Sequence, residues 1–308
     1  MLIGAFANVI PDFDVVSQLW LSTDKGLLAH RGFTHSFLFV LLAGCFLSFL
    51  FWNKRKNISF KFWFLFFTLE LFLHIFIDAF NAYGTGWFEP FSHYRVSFHT
   101  MFVVDPFYSC WLGIAFVALL ILDRNSNKRR SWTRFGLGIS TLYFLYCMVN
   151  KVKTDIDIKD MLTRERITYQ NFFTTPAPLN NWLWFVAAGN DSGYYIGYYS
   201  VFDSKKQIDL HYFPINEYLL DPIKNHPNVQ NLLRFSKKFY TVEKWNDTLV
   251  FNDLRFGQMI GWNDPNEKFV FHYFLQNEKG NRLVVQRARF AKWNGAVMRS
   301  LAKRIVGN

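Results

Sequence analysis

Apolar positions cluster in the first half of the chain. Residues 33–52 (FTHSFLFVLLAGCFLSFLFW) carry no formal charge, and residues 58–80 are interrupted only by Lys61, Glu70, His74 and Asp78. Shorter apolar stretches follow at about 106–122 and 135–149. A helix crossing a bilayer needs about 20 mostly apolar residues, with a lower limit near 17. The first two runs therefore predict spans, the third is borderline and the fourth needs its flanks. Met1–Ile10 is also apolar, but as a helix it would cover only about 15 Å, roughly half a bilayer. It has no basic leader and is followed by Pro-Asp-Phe-Asp rather than a small-residue cleavage site. It reads as the second half of a membrane helix and not as a signal peptide.

From about residue 155 the pattern changes, and charges recur every few residues. Residues 181–214 predict short strands joined by Asn-Asp-Ser-Gly and Asp-Ser-Lys-Lys turns. A second strand pair is expected at 268–275 and 282–288 around a turn at 277–281, with helices over 222–239 and 295–306. The expected fold is an α-helical integral membrane domain over 1–154, followed by a soluble α+β domain over 155–308. The membrane part would hold about four to five transmembrane helices, the first truncated.

Composition sharpens this division. The chain has 308 residues, 37 of them Phe, and is 51% hydrophobic by type. Its mean hydropathy is nevertheless close to zero, because a membrane half is averaged with a polar one. Such apolar content excludes a disordered chain, and three cysteines exclude a disulfide scaffold. All three, Cys45, Cys110 and Cys147, fall in apolar stretches and give no information on redox compartment. The net charge of +11 divides about evenly between the halves. In the first half it sits in the 53–57 and 123–134 loops, whereas 81–105 has only Arg95 against Glu89 and Asp105. The positive-inside rule then puts the two basic loops in the cytoplasm, with 81–105 and the C-terminal domain facing outward. No nucleic-acid-binding motif accompanies the charge, and no nucleic-acid partner is expected. The basic segment 298–305 reads as an amphipathic helix lying on the domain or on lipid.

The polar residues near the apolar runs are few and of recurring types. They are Pro11-Asp12-Phe13-Asp14, then His30-Arg31-Gly32-Phe33-Thr34-His35-Ser36, then Glu70-x3-His74-x3-Asp78, and finally a loop through Asn81, His93, Arg95 and His99 to Asp105-Pro106. Residues four apart share a helix face, so Glu70, His74 and Asp78 form one stripe. Ionisable groups in a span cost at least ~2–3 kcal/mol each and turn toward partners. Taken singly, each motif has a structural reading: a hydrogen-bonded His-Asp pair, a Thr34 or Ser36 helix cap, an Asx turn. The topology, deduced from Lys and Arg alone, brings them all to one membrane face. Imidazole with carboxylate is a donor set of zinc and related divalent ions. The metal candidates are Asp12, His30, His35, His74 and Asp78. Asp14, His99 and Asp105 are candidates for catalytic proton transfer, and Arg31 and Arg95 for binding an anionic substrate group. Glu70, about 12 Å along the helix from Asp78, is too deep for the same ion.

Pro-Asp-Phe-Asp, the His-Arg-Gly-Phe-Thr-His-Ser string opening a helix and His-x3-Asp-x2-Asn-x2-Gly closing another together resemble the YdjM-like family. Its members are described as membrane-bound, metal-dependent hydrolases, also as LexA-binding inner-membrane hydrolases. The resemblance covers about residues 1–122. It implies that Asp12, Asp14, His30, His35, His74 and Asp78 are metal and catalytic positions in a multi-pass protein of the bacterial inner membrane. The string from Arg95 to Pro106 looks like a branch of that family with an added C-terminal domain. Family members begin with a further helix carrying a Thr-His or Gly-His pair, which this sequence lacks.

Three functions compete. The first is a hydrolase acting on an ester or phosphoester of a membrane-associated substrate. The second is a non-enzymatic membrane-anchored scaffold, in which Trp182, Trp184, Tyr194, Tyr195, Tyr198 and Tyr199 form either a contact surface or a sheet core. The third is an ion pathway, disfavoured because the ionisable groups crowd at one end of the spans. No His-Glu-x2-His, Gly-x-Ser-x-Gly or phosphate-cradling loop is present.

Overall fold

The computed structural model describes residues 2–275, 290 and 292–307. Four helical segments are long and apolar enough to cross a membrane: Leu2–Leu19, Phe37–Lys54, Phe60–Asp78 and Lys128–Arg164; Pro106–Ile121 is a shorter apolar helix. A region with two antiparallel sheets and a few helices follows. The chain is thus a membrane protein with an added α+β region. It divides into two compact units. One takes the chain up to Phe98, Glu217–Arg255 and the strand segment from His272; the other takes His99–Asn216, Phe256–Phe271 and the C-terminal helix. These units cut across the compositional boundary at 154/155.

In the first unit, α1 (Leu2–Val9) passes directly into a 3-10 segment, Ile10–Leu19. Pro-Asp-Phe-Asp therefore continues the helical path instead of ending it. After α2 (Thr23–Ala29) and a 3-10 turn at Phe33–His35 come α3 (Phe37–Lys54) and α4 (Phe60–Asp78). The α3 helix starts four residues later than its apolar run, because Ser36 takes the cap: its Oγ accepts from Phe39 N at 3.0 Å. On α4, Trp63, Phe67, Leu71 and Ile75 recur every fourth residue and are buried. They pack with Ala7, Val40, Leu47 and Phe51 from α1 and α3. The polar stripe of Glu70, His74 and Asp78 runs beside this one. The predicted helix at 222–239 is shorter, α7 (Pro227–Ser236).

In the second unit α5 (Pro106–Ile121) packs on α6 (Lys128–Arg164). At 37 residues and about 1.5 Å per residue, α6 is far longer than a ~30 Å hydrocarbon layer. Only its first part reads as apolar. Its later residues Ile158, Met161 and Leu162 instead pack with Val186, Ala188, Tyr199 and Ile208.

The first sheet is an antiparallel meander, β1 (Asn171–Pro176), β2 (Leu183–Gly189), β3 (Gly193–Ser200) and β4 (His211–Pro214). Trp184, Tyr194, Tyr198 and Tyr199 are buried, so these aromatics are core and do not form a contact surface. The second sheet has β5 (Tyr240–Trp245), β6 (Thr248–Gln258) and β7 (Phe269–Phe274). Its β5–β6 hairpin turns at Asn246-Asp247, with Asn246 at φ 52°. Sequence reading missed this hairpin, although an Asn-Asp turn between β-branched and aromatic runs is a usable signal. The predicted strand at 282–288 and turn at 277–281 lie outside the described residues. The basic C-terminal segment forms α8 (Gly295–Val306), which buries Val297 and Leu301 and pairs Arg304 with Asp203 at 2.7 Å. It lies on the domain.

Glycines 136 and 138 of α6 offer a controlled test of the α5–α6 contact. A Cβ at Gly136 would meet Ala115 Cβ at 2.5 Å and the Trp111 carbonyl at 3.0 Å, whereas Gly138 has nothing within 4 Å. Close helix approach at small residues is a main source of packing in membranes. Gly136→Ala is expected to lower stability by about 1–3 kcal/mol. Gly138→Ala is expected to leave it unchanged or raise it by up to ~1 kcal/mol. Thermal unfolding of both variants in the same detergent checks the contrast.

Candidate metal centre

Four side chains from three elements meet where α4 ends. Asp12 comes from the 3-10 segment, His35 from the short 3-10 turn before α3, and His74 and Asp78 from the polar stripe of α4. One donor atom from each lies within 4.8 Å of all the others. His35 Nε2 is 3.3 Å from His74 Nε2, 3.3 Å from Asp78 Oδ2 and 3.5 Å from Asp12 Oδ1. His74 Nε2 is 3.5 Å from both Asp12 Oδ1 and Asp78 Oδ2. A tetrahedral zinc with bonds of about 2.0–2.2 Å holds its donors about 3.3–3.5 Å apart, so the spacing fits such an ion. Asp12 Oδ1 and Asp78 Oδ2 are buried and make no hydrogen bond. Their nearest neighbours are imidazole nitrogens at 3.3–3.5 Å and, for Asp78, Arg31 Nε at 3.2 Å. Buried carboxylates without well-formed hydrogen bonds are costly, and a cation among the four donors would lower that cost. Access is uneven: the side chains of Asp12, Asp78, His74 and His35 are 43, 19, 12 and 0% exposed.

Local backbone geometry brings the pieces together. The 3-10 segment is ten residues long, well beyond the usual three or four. It sets Asp12 and Asp14 on opposite sides of the His35 ring, with Asp14 Oδ2 at 3.5 Å from Nδ1. Thr34 Oγ1 donates to Asp14 Oδ2 at 2.7 Å and lies 3.1 Å from His35 Nδ1. Arg31 takes a left-handed φ of 58°, uncommon for a residue with a Cβ. Its N–H is held by Asp14 Oδ2 at 2.9 Å, and its carbonyl accepts from Gly86 N at 2.8 Å. The next position must be glycine, because a Cβ on Gly32 would lie 2.9 Å from the carbonyls of both Leu28 and Ala29.

Of the residues expected at the site, four converge directly and three more surround them. His30 is not among the donors: its Nδ1 pairs with Asp14 Oδ1 at 2.7 Å. Asp14 pairs with His30 and accepts from Thr34 and the Arg31 N–H. Arg31 reaches Asp78 Oδ2 with Nε at 3.2 Å and Asn81 Oδ1 with Nη1 at 2.9 Å. Three further expected residues make other contacts. Arg95 is buried, and its guanidinium donates to the carbonyls of Leu28 and His30 at 2.7 and 2.8 Å, so it ties backbone together and is unavailable to a substrate. Burial, with Arg255 and Arg31 nearby, brings it down to about 10. Asp105 and His99 belong to the other compact unit. Asp105 caps α5, accepting from Phe107 N at 2.9 Å and from the Tyr143 hydroxyl at 3.0 Å. His99 lies against the Phe173 ring. Sequence alone did not single out Tyr83, which stands 5.3 Å from the His30 ring and under the Arg31 guanidinium.

The profile of the YdjM inner membrane protein family matches residues 1–154, the half that contains every residue of the cluster. The uncharacterized protein YfhP of Bacillus subtilis (strain 168) is 36% identical over 100 residues, which is 32% of this chain and 29% of that protein. The chain thus matches less than a third of the length of that relative. No solved structure matches the chain. With the profile covering half of its length, the chain belongs to the YdjM inner membrane protein family.

Proposed function

We propose that this protein is a membrane-bound metal-dependent hydrolase in which Asp12, His35, His74 and Asp78 hold one divalent ion, with zinc the ion their spacing suits. The observation that carries this reading is the convergence of four donor atoms, two of them buried carboxylate oxygens that make no well-formed hydrogen bond. An ion held there supplies Lewis acidity and an activated water near neutral pH. The chain's own groups prepare the site. Thr34 and Asp14 fix the orientation of the His35 ring through Nδ1, which leaves Nε2 directed inward, as outer partners of metal-bound imidazoles do. Arg31 offsets the charge of Asp78. Asp12, the most accessible of the four, is the group positioned to exchange protons with the surroundings.

The substrate reading follows from the same geometry. The Asp12 side is flanked by exposed Phe13, Val16, Leu19 and Trp20, which suits an ester borne by a lipid or another membrane-embedded molecule. A phosphoester has weaker support, since Arg95 is committed to backbone carbonyls. The site and the α+β region face outward on this reading, as the distribution of basic loops favours. A structural ion is the second reading, supported by the presence of four protein donors, the number of a closed zinc site. The exposure of Asp12 favours the hydrolase.

Elemental analysis of the purified full-length protein is expected to find about one divalent ion per chain. His35→Ala and Asp78→Ala are expected to lose it. His30→Ala, which only loosens Asp14, should keep it with about 10–100-fold weaker affinity. A wild-type protein without metal would overturn the reading.

Turnover is tested with chromogenic esters and phosphoesters carrying acyl chains, presented in mixed micelles. Activity is expected to disappear on chelation, to return with zinc or manganese, and to be absent from Asp78→Ala. One tightly held ion without turnover of any ester would leave the structural ion as the function. Removing residues 155–308 is not a clean test, because Glu217–Arg255 belong to the same compact unit as the site.

A further inference from the structure

Behind Asp78 stands a column of alternating guanidinium and aromatic groups. Arg31, in contact with Asp78, lies 5.3 Å from the Tyr83 ring centre. Arg95 lies 5.8 Å from the same ring and 5.6 Å from that of Phe235. Arg255 covers Phe235 at 4.6 Å, and the Tyr83 and Phe235 rings meet edge to face at 5.2 Å. Asp253 closes the far end, accepting from Arg255 Nε at 3.0 Å and Nη2 at 2.6 Å. Every member belongs to one compact unit. Asp253 and Arg255 have 1% exposed side chains.

Three buried guanidinia in a row repel one another, while Asp78 meets Arg31 at one end and Asp253 meets Arg255 at the other. Aromatic faces between them supply the compensating negative potential, worth most where water is excluded. The middle guanidinium, Arg95, is pinned by the carbonyls of Leu27, Leu28 and His30. Lys237 Nζ in turn donates to the Arg95 carbonyl. The position of Arg31 is therefore set by stacking on Tyr83 as well as by Asn81, and Tyr83 is set by Phe235.

We propose that Phe235 and Arg255, on α7 and β6, are positioning residues of the metal centre, acting through Tyr83 and Arg31 on the orientation of Asp78. The proposal rests on the metal reading given above. It makes Glu217–Arg255 part of the site's support and not an independent attachment. Arg31 is the last link, because its Nε reaches the donor residue Asp78 at 3.2 Å.

Cobalt(II) titration of the full-length protein in detergent, followed by its visible absorption, tests this. Phe235→Leu is expected to raise the cobalt Kd about tenfold and to change the absorption spectrum. Phe235→Tyr, which keeps the ring, is expected to retain both. In an Arg31→Lys background the same Phe235→Leu change should have no further effect, since the link it acts through is already broken. If Phe235→Leu does not fold, Arg255→Lys, which keeps the charge but loses the planar stack, replaces it in the cycle. An unchanged Kd and spectrum in Phe235→Leu, or an equal loss in both backgrounds, overturns the proposal while leaving the metal centre standing. A wild-type protein that does not bind cobalt overturns both.

Discussion

Carboxylates and imidazoles set among apolar helices persist only when each charge faces an opposite charge or a donor. That constraint organises the first unit of this protein. Asp12, Asp14 and Asp78 bring three negative groups to the end of α4, and His30, His35, His74 and Arg31 are arranged among them. The unusual local features can be traced to this requirement. An extended 3-10 segment separates the two aspartates around one ring, and a left-handed Arg31 turns its N–H toward Asp14 and its side chain toward Asp78. The loop after α4 folds back so that Gly86 holds the Arg31 carbonyl and Trp87 Nε1 caps the Ile75 carbonyl at 3.1 Å.

Two carboxylates of one short motif consequently have different roles. Asp12 contributes an oxygen with no hydrogen bond to the donor cluster, whereas Asp14 is surrounded by donors and orients its neighbours. The same separation holds for the arginines. Arg31 stands beside the donors, and Arg95 is spent on backbone carbonyls behind them. The cluster is therefore enclosed on the side of His35 and most exposed at Asp12.

How much of this was legible in the sequence depended on the range of the interactions. The α4 stripe is a local property: helical periodicity alone puts His74 and Asp78 on one face, and they lie 3.5 Å apart. The joint presence of Asp12 and His35 was readable because ligand-type residues are rare beside apolar runs. Donors and their outer partners were not separable, since His30 and His35, or Asp12 and Asp14, are the same chemical types one motif apart. Asp105 shows a related ambiguity. An Asp-Pro opening an apolar helix is a sufficient N-cap, and that local role is the one the structure gives it.

The sequence by itself determined the apolar spans, the change of texture near residue 155 and the donor types available. Each follows from local composition or period. Tertiary structure decided which four donors meet, which aspartate orients and which arginine is buried, because these depend on packing between segments far apart in the chain. It also decided that Phe235 and Arg255 stand behind the site. No local pattern announces a ring and a guanidinium that matter only because Tyr83 and Arg95 fold against them.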